Sequence, residues 1–83
     1  MTLEQLRIFI AVATQQHVTR AAATLNMTPS AVSSSIAALE SRHAIKLFDR
    51  IGRSIVLNQT GRIFLVEAEA VLARARIAEA TLN

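Results

Sequence analysis

The sequence predicts a mainly α-helical domain with three helices, a short two-stranded β-hairpin and a long final helix. The 83 residues are 52% hydrophobic, which is enough for the chain to bury a core. Alanine, the strongest helix former, occurs fifteen times, against two glycines and one proline. Apolar residues recur at helical spacing except between residues 47 and 57, where the pattern becomes that of a hairpin.

The composition also excludes several classes of protein. Without cysteine the chain has no disulfide, no thiol nucleophile and no Cys-ligated zinc, which indicates a reducing compartment rather than a small secreted scaffold. No apolar run approaches the roughly 18 residues that a membrane span needs. We therefore expect a soluble, cytoplasmic protein without membrane contact.

The first two helices are marked by their predicted caps. Thr2 begins a capping box before a helix over about residues 3–16. Its apolar stripe consists of Leu3, Leu6, Phe9, Ile10 and Ala13. A short second helix is predicted over residues 20–25 with Thr19 as its N-cap. Asn26 ends it in the left-handed conformation, which asparagine tolerates better than most residues.

The third helix, over about residues 29–42, starts with Thr28-Pro29, because threonine caps a helix and proline at its first position loses only an unpaired amide. Its core face carries Val32, Ile36 and Leu39. The opposite face carries only small side chains, namely Ser30, Ala31, Ser34, Ala38 and Ser41. Two helices joined by a tight turn, the second with a small polar face, form the helix-turn-helix arrangement that places a recognition helix in the DNA major groove.

The absence of Lys and Glu over residues 28–39 favours a contact surface over an ordinary solvated helix face. The hairpin supports this interpretation, since Arg50 and Arg53 flank Gly52 at its tip and would reach phosphate or a minor groove as a wing does.

Positive charge is concentrated in the first part of the chain. Seven bases stand against three acids over residues 1–62, whereas two bases stand against three acids over residues 63–83. Arg20, beside Thr19 at the start of the second helix, would also lie near a phosphate. The asymmetry favours a polyanionic partner for the first part.

A final helix is predicted from about residue 62 to the end, with Asn58 or Thr60 as its cap. Its apolar stripe, spaced alternately by four and three residues, is Phe64, Ala68, Val71, Ala75, Ala78 and Leu82. Residues 58–83 in one helix would extend roughly 39 Å, longer than the expected diameter of the rest. The sequence therefore predicts a DNA-binding domain over residues 1–57 and a dimerisation helix over residues 58–83.

No catalytic or metal site is predicted. His17 and His43 lie on different elements, and Asp49 has no carboxylate partner, so neither a zinc site nor an acid–base dyad can be assembled. Both histidines are expected to be surface or cap residues. We predict a non-enzymatic protein that needs no cofactor. The residues alone leave one alternative open, a helical protein–protein interaction module whose last helix binds a partner.

Five segments resemble, in order and spacing, the N-terminal DNA-binding region of LysR-type transcriptional regulators. They are residues 6–12 (LRIFIAV), 19–25 (TRAAATL), 28–40 (TPSAVSSSIAALE), 47–50 (LFDR) and 57–61 (LNQTG). The resemblance implies a winged helix-turn-helix and a linker helix that pairs with a second subunit. It also implies a homodimer or tetramer that binds an inverted-repeat operator in the bacterial nucleoid.

The same resemblance implies positions for the DNA contacts. With Thr19, Arg20 and Ala31 from the residue pattern, the predicted DNA-binding residues are Thr19, Arg20, Thr28, Pro29, Ser30, Ala31, Ser33, Ser34, Arg50 and Arg53. Pro29 stands where many members have glutamine and Ser34 where many have a long polar residue, so their long-reach base contacts are not carried over. The family's effector-binding domain has no counterpart in these residues. The chain is therefore expected to be a DNA-binding segment without an effector site.

Overall fold

The computed structural model describes residues 1–52 and 54–83, and its elements confirm the predicted mainly α-helical fold. In chain order the elements are α1 (Leu3–Gln15), α2 (Val18–Leu25), α3 (Pro29–His43), β1 (Phe48–Ile51), β2 (Ser54–Leu57) and α4 (Gln59–Ala80). The two strands form one antiparallel hairpin.

Side chains cap α1 and α4 at their N-termini. Thr2 Oγ1 accepts from the Gln5 N–H while Gln5 Oε1 accepts from the Thr2 N–H, which confirms the predicted capping box. Asn58 caps α4, because its Oδ1 accepts from the Gly61 N–H at 2.7 Å. The helix thus begins at Gln59, earlier than predicted, and ends at Ala80 rather than at the last residue.

The predicted cap of α2 is wrong. His17 caps this helix, since its Nδ1 accepts from the Arg20 N–H at 3.1 Å, and the helix starts at Val18. Thr19 lies instead inside the first turn, with an exposed side chain. An imidazole nitrogen with a free lone pair accepts a hydrogen bond as a hydroxyl does, although histidine is not among the preferred cap residues.

The core lies on two sides of α1. One cluster consists of Leu6, Phe9, Ala13, Leu39, Leu47, Ala68 and Leu72. The other consists of Ile8, Val12, Ala21, Ala22, Val32 and Ile55. The Phe9 ring centroid lies 5.6 Å from that of Phe48 and 4.9 Å from that of Phe64, so it joins α1 to the hairpin and to α4. α1 is therefore the helix around which the others assemble.

The hairpin is anchored at one end and exposed at the other. Ile55 of β2 is buried, whereas Arg50 and Ile51 of β1 are exposed. Gly52 has φ +60°, the left-handed conformation expected of the glycine at the tip. Arg53, a predicted wing residue, lies outside the described residues.

α4 extends beyond the body of the molecule. Its 22 residues span about 33 Å. Gly61, Ala68 and Leu72 are buried, but no residue after Leu72 is. None of the helices in the described part of the chain combines the length and apolarity needed to cross a bilayer.

Candidate nucleic-acid interface

A tight turn joins α2 to α3. Asn26 adopts the left-handed conformation predicted for it, with φ +56°, and the Met27 N–H donates to the Ala22 carbonyl at 2.9 Å. Thr28 then caps α3, because its Oγ1 accepts from the Ala31 N–H at 3.1 Å. Ala21 and Ala22 are buried, which allows the two helices to approach closely. This is the geometry of a helix-turn-helix.

The predicted contact residues of α3 are on the outside of the molecule. Val32 and Leu39 face the core. The residues exposed at the N-terminal end of the helix are Thr28, Pro29, Ser30, Ala31, Ser33 and Ser34. None of them has a long side chain, so a partner can approach the helix backbone closely. Hydroxyls in this position can bind base edges or phosphates, and alanine methyl groups can contact thymine methyl groups.

The hairpin places Arg50 between the other two predicted elements of the interface. Arg50 lies opposite Ile55 in the strand register, and cross-strand partners share one face of a sheet. Arg50 lines one open groove with Ser33 of α3 and a second, shallower depression with Thr19 of α2. The structure thus brings Arg50 near both helices of the helix-turn-helix.

The charged groups of this surface are available to a partner. Residues 1–52 and 54–83 contain one ion pair, in which Arg7 Nη1 lies 3.0 Å from Glu4 Oε2 on α1. Arg20 and Arg50 are exposed and have no carboxylate partner in the described part of the chain. Arg50, beside Ser33 of α3, and the partly positive N-terminus of that helix therefore offer positive charge next to the small side chains.

Nothing in the described part of the chain resembles a metal centre. No group of three His, Asp or Glu side chains among those residues could hold a metal ion. His17 is a cap, as expected for one of the two histidines, and His43 is an exposed residue in the last turn of α3.

The sequence as a whole matches a known family. The model for the bacterial regulatory helix-turn-helix proteins of the lysR family matches residues 3–62, most of the chain. The chain belongs to the LysR family. It is 51% identical to an uncharacterized HTH-type transcriptional regulator, YybE of Bacillus subtilis (strain 168), over 87% of this chain and 25% of that protein. It is 42% identical to the HTH-type transcriptional regulator ShiR of Corynebacterium glutamicum (strain R), over 100% of this chain and 28% of that protein.

Solved LysR-family structures share this fold closely. A crystal structure of the CbnR DNA-binding domain in complex with DNA superposes with a TM-score of 0.92 at 31% identity, over 98% of this chain and 93% of that one. The BenM DNA-binding domain in complex with benA site 1 DNA gives 0.94 at 29% identity, over 99% and 92%. The chain spans about a quarter of the length of the curated relatives it matches.

The predicted LysR dimerisation stripe of α4 divides into two parts in the structure. Ala68 is buried and Phe64 is half-buried against Phe9, so these two residues pack in the core of their own chain. Leu82 lies beyond the end of α4 and is exposed. The remaining stripe residues are Val71, which is exposed beside the buried Leu72, and Ala75 and Ala78, which lie on the part of α4 beyond Leu72.

Sequence reasoning missed a second apolar side of α4. Its exposed large residues are Ile63, Val66 and Ile77. At 100° per residue they cluster on the side of the helix opposite Ala68 and Leu72. Their spacing of three and eleven residues is helical and could have indicated a second apolar side. The alternating four- and three-residue stripe on the core side is the more regular pattern and was used instead.

Proposed function

We propose that this chain is the double-stranded DNA-binding module of a LysR-type transcriptional regulator. The exposed N-terminal end of α3 would enter the major groove, and the hairpin would lie on phosphate or in the adjacent minor groove. One observation carries the proposal: the second helix of a helix-turn-helix presents six short side chains to solvent at its N-terminal end, and the exposed Arg50 of the hairpin lies beside Ser33 of that helix. The DNA complexes of the CbnR and BenM domains support it.

The individual contacts follow from the chemistry of the groups. Thr19, Arg20 and Arg50 would bind phosphates and fix the module on the duplex, while Ser30, Ser33 and Ser34 would meet base edges. Hydroxyl groups discriminate weakly among bases, so local groove shape is expected to contribute to specificity. Arg53 is proposed as a further wing contact from its sequence position alone.

We further propose that residues 1–57 bind DNA and that residues 58–83 pair two copies of the chain. A dimer related by a two-fold axis would bind an inverted repeat, with one recognition helix in each half-site. The proposed site of action is the bacterial nucleoid, and the proposed role is binding rather than catalysis. Any response to a small molecule would require a further domain.

The groove assignment is tested by Ser34→Glu. The variant should keep its helical circular dichroism but lose affinity by about 100-fold or more, because a carboxylate in the groove faces DNA phosphates and like charges in contact cost several kcal/mol. The measurement is fluorescence anisotropy with a duplex that the wild-type chain selects from a random-sequence pool.

The matched control is Ser41→Glu, which adds the same charge to an exposed position two turns farther along α3. It should bind within about threefold of wild type, because the added charge lies roughly 10 Å farther along the helix, about one Debye length at physiological salt. Equal affinity of Ser34→Glu and wild type would remove α3 from the groove. Selection of no duplex by the wild-type chain would contradict DNA binding itself.

A further inference from the structure

Hydrogen bonds through residues 46 and 47 connect the recognition helix to the dimerisation helix. Glu40 Oε2, near the end of α3, accepts from the Leu47 N–H at 2.7 Å. The Leu47 carbonyl oxygen accepts from the Asn58 N–H at 3.0 Å. The Asn58 Nδ2–H donates to the Lys46 carbonyl at 2.8 Å, while its Oδ1 caps α4 at Gly61. We call residues 46 and 47, bonded to α3 on one side and to α4 on the other, the clamp segment.

The clamp segment is held tightly as well as bonded. Leu47 is fully buried, in the same cluster as Leu39 of α3 and Ala68 of α4. Gly61 is buried beside it, and a Cβ at Gly61 would overlap the Leu47 carbonyl oxygen. No side chain other than the hydrogen atom of glycine fits between the clamp segment and α4. A shift of the segment would therefore displace the first turn of α4.

The clamp segment is a direct polar link between α3 and α4. Both helices pack against α1, and Leu39 of α3 lies in one buried cluster with Ala68 and Leu72 of α4. Their relative orientation is therefore set by this apolar packing together with the bonds of the clamp segment. Among the hydrogen bonds of the clamp segment, the bond to Glu40 is the one in which a side chain of α3 takes part.

We propose that Glu40 is a positioning residue that fixes the orientation of the recognition helix relative to α4, and so the half-site spacing that a dimer accepts. This inference rests on the proposed function. In a dimer held through α4, the separation of the two recognition helices depends on the angle that each α3 makes with its own α4. One base pair more or less moves a half-site by about 3.4 Å and rotates it by about 35° around the duplex. A small change of that angle should therefore change which half-site spacing the dimer binds most tightly.

The experiment measures spacing preference. Two copies of the half-site selected by the wild-type chain are placed in a series of duplexes whose spacers differ by one base pair, and the dissociation constant is measured for each. The wild-type chain should prefer one spacer by about tenfold over its neighbours, because otherwise protein or DNA must deform. Glu40→Met keeps a side chain of similar length but removes the acceptor for the Leu47 N–H. Its preference should fall to about twofold, with unchanged affinity for a single half-site.

Two further variants provide controls. Glu40→Gln keeps an oxygen that can accept from the Leu47 N–H and should retain the wild-type spacing profile. Asn58→Ser keeps a cap for α4 but loses the Nδ2 donor to Lys46, and it should flatten the profile as Glu40→Met does. This second disruption decides the matter if Glu40→Met fails to fold.

Each outcome bears on one proposal. A wild-type spacing profile in both Glu40→Met and Asn58→Ser would overturn the positioning role, as would a flat profile in Glu40→Gln or in the wild-type chain. Weakened binding of Glu40→Met to a single half-site would also overturn it, since it would indicate a direct role in DNA contact. Failure of the wild-type chain to bind any duplex would instead overturn the proposed function.

Discussion

Ala44 ends α3 in the left-handed conformation, with φ +53°. Its N–H donates to the carbonyls of Glu40 and Ser41 at the end of the helix, and the Ile45 N–H donates to the Glu40 carbonyl at 3.1 Å. This conformation costs a residue with a Cβ about 1–2 kcal/mol, and glycine avoids the cost. Strain is thus stored at one residue between α3 and the clamp segment.

Replacing Ala44 by glycine should stabilise the protein. Relief of the strain outweighs the extra backbone entropy that glycine loses on folding, so the free energy of unfolding should rise by about 0.5–1 kcal/mol. Urea denaturation followed by circular dichroism measures it. The matched variant is Ala38→Gly, at an exposed right-handed position of α3, which should lower the free energy of unfolding by about 1 kcal/mol. Equal losses in both variants would show that the turn at Ala44 is unstrained.

Single residues also show where sequence reasoning reaches its limit. Thr2, Asn26 and Thr28 could be placed from the sequence because their side chains or backbone preferences suit one position of a helix end. At the start of α4 the sequence left Asn58 and Thr60 open, and the structure selects Asn58. His17 could not, because an imidazole caps only when its ring is turned toward the free amides, and this depends on the neighbouring turn. The predicted cap at Thr19 followed the usual preference and was two residues late.

The hairpin is the element whose sequence signal and structure agree in detail. The sequence predicted its tip from a glycine between two short apolar runs, and Gly52 lies there in the structure. The register, from Phe48↔Leu57 to Ile51↔Ser54, places Arg50 on the face that meets α2 and α3. Which face Arg50 would occupy was not predictable from the sequence, since a register shift of one residue reverses every side chain. Burial of Ile55 in the core determines it.

Removing the charge of Arg50 should change how binding depends on salt. If Arg50 neutralises one phosphate, Arg50→Ala should reduce the slope of log affinity against log salt concentration by about one unit. Titrations with the selected duplex at several salt concentrations measure the slope. Arg7→Ala is the matched control, because it removes the same charge from α1, where Arg7 is paired with Glu4. Identical slopes for Arg50→Ala and Arg7→Ala would mean that the hairpin does not contact DNA phosphate.

At the scale of the whole molecule, α4 serves both the core and the proposed partner chain. Its stripe was predicted as one dimerisation seam, but Phe64 and Ala68 pack against α1 of the same chain. A heptad-like pattern indicates that one side of a helix packs against apolar groups. The pattern is the same whether those groups come from the same chain or from a second copy. The length of α4 did indicate a projecting end, and the helix is unburied beyond Leu72.

The proposed dimer follows from that projecting end. Val71, beside Leu72, and Ala75 and Ala78, beyond it, continue the core-facing side of α4, so a partner covering them would extend the existing core. The double variant Val71→Asp and Ala75→Asp should therefore be a monomer in sedimentation velocity, because two buried carboxylates per chain cost far more than the seam gains. It should keep its helical circular dichroism and lose affinity for the two-half-site duplex while binding a single half-site. Val66→Asp with Ala73→Asp is the matched control on the opposite side of α4, and it should remain a dimer. The reverse result would place the seam on the side of Ile63, Val66 and Ile77, and two dimeric variants would remove α4 from the interface.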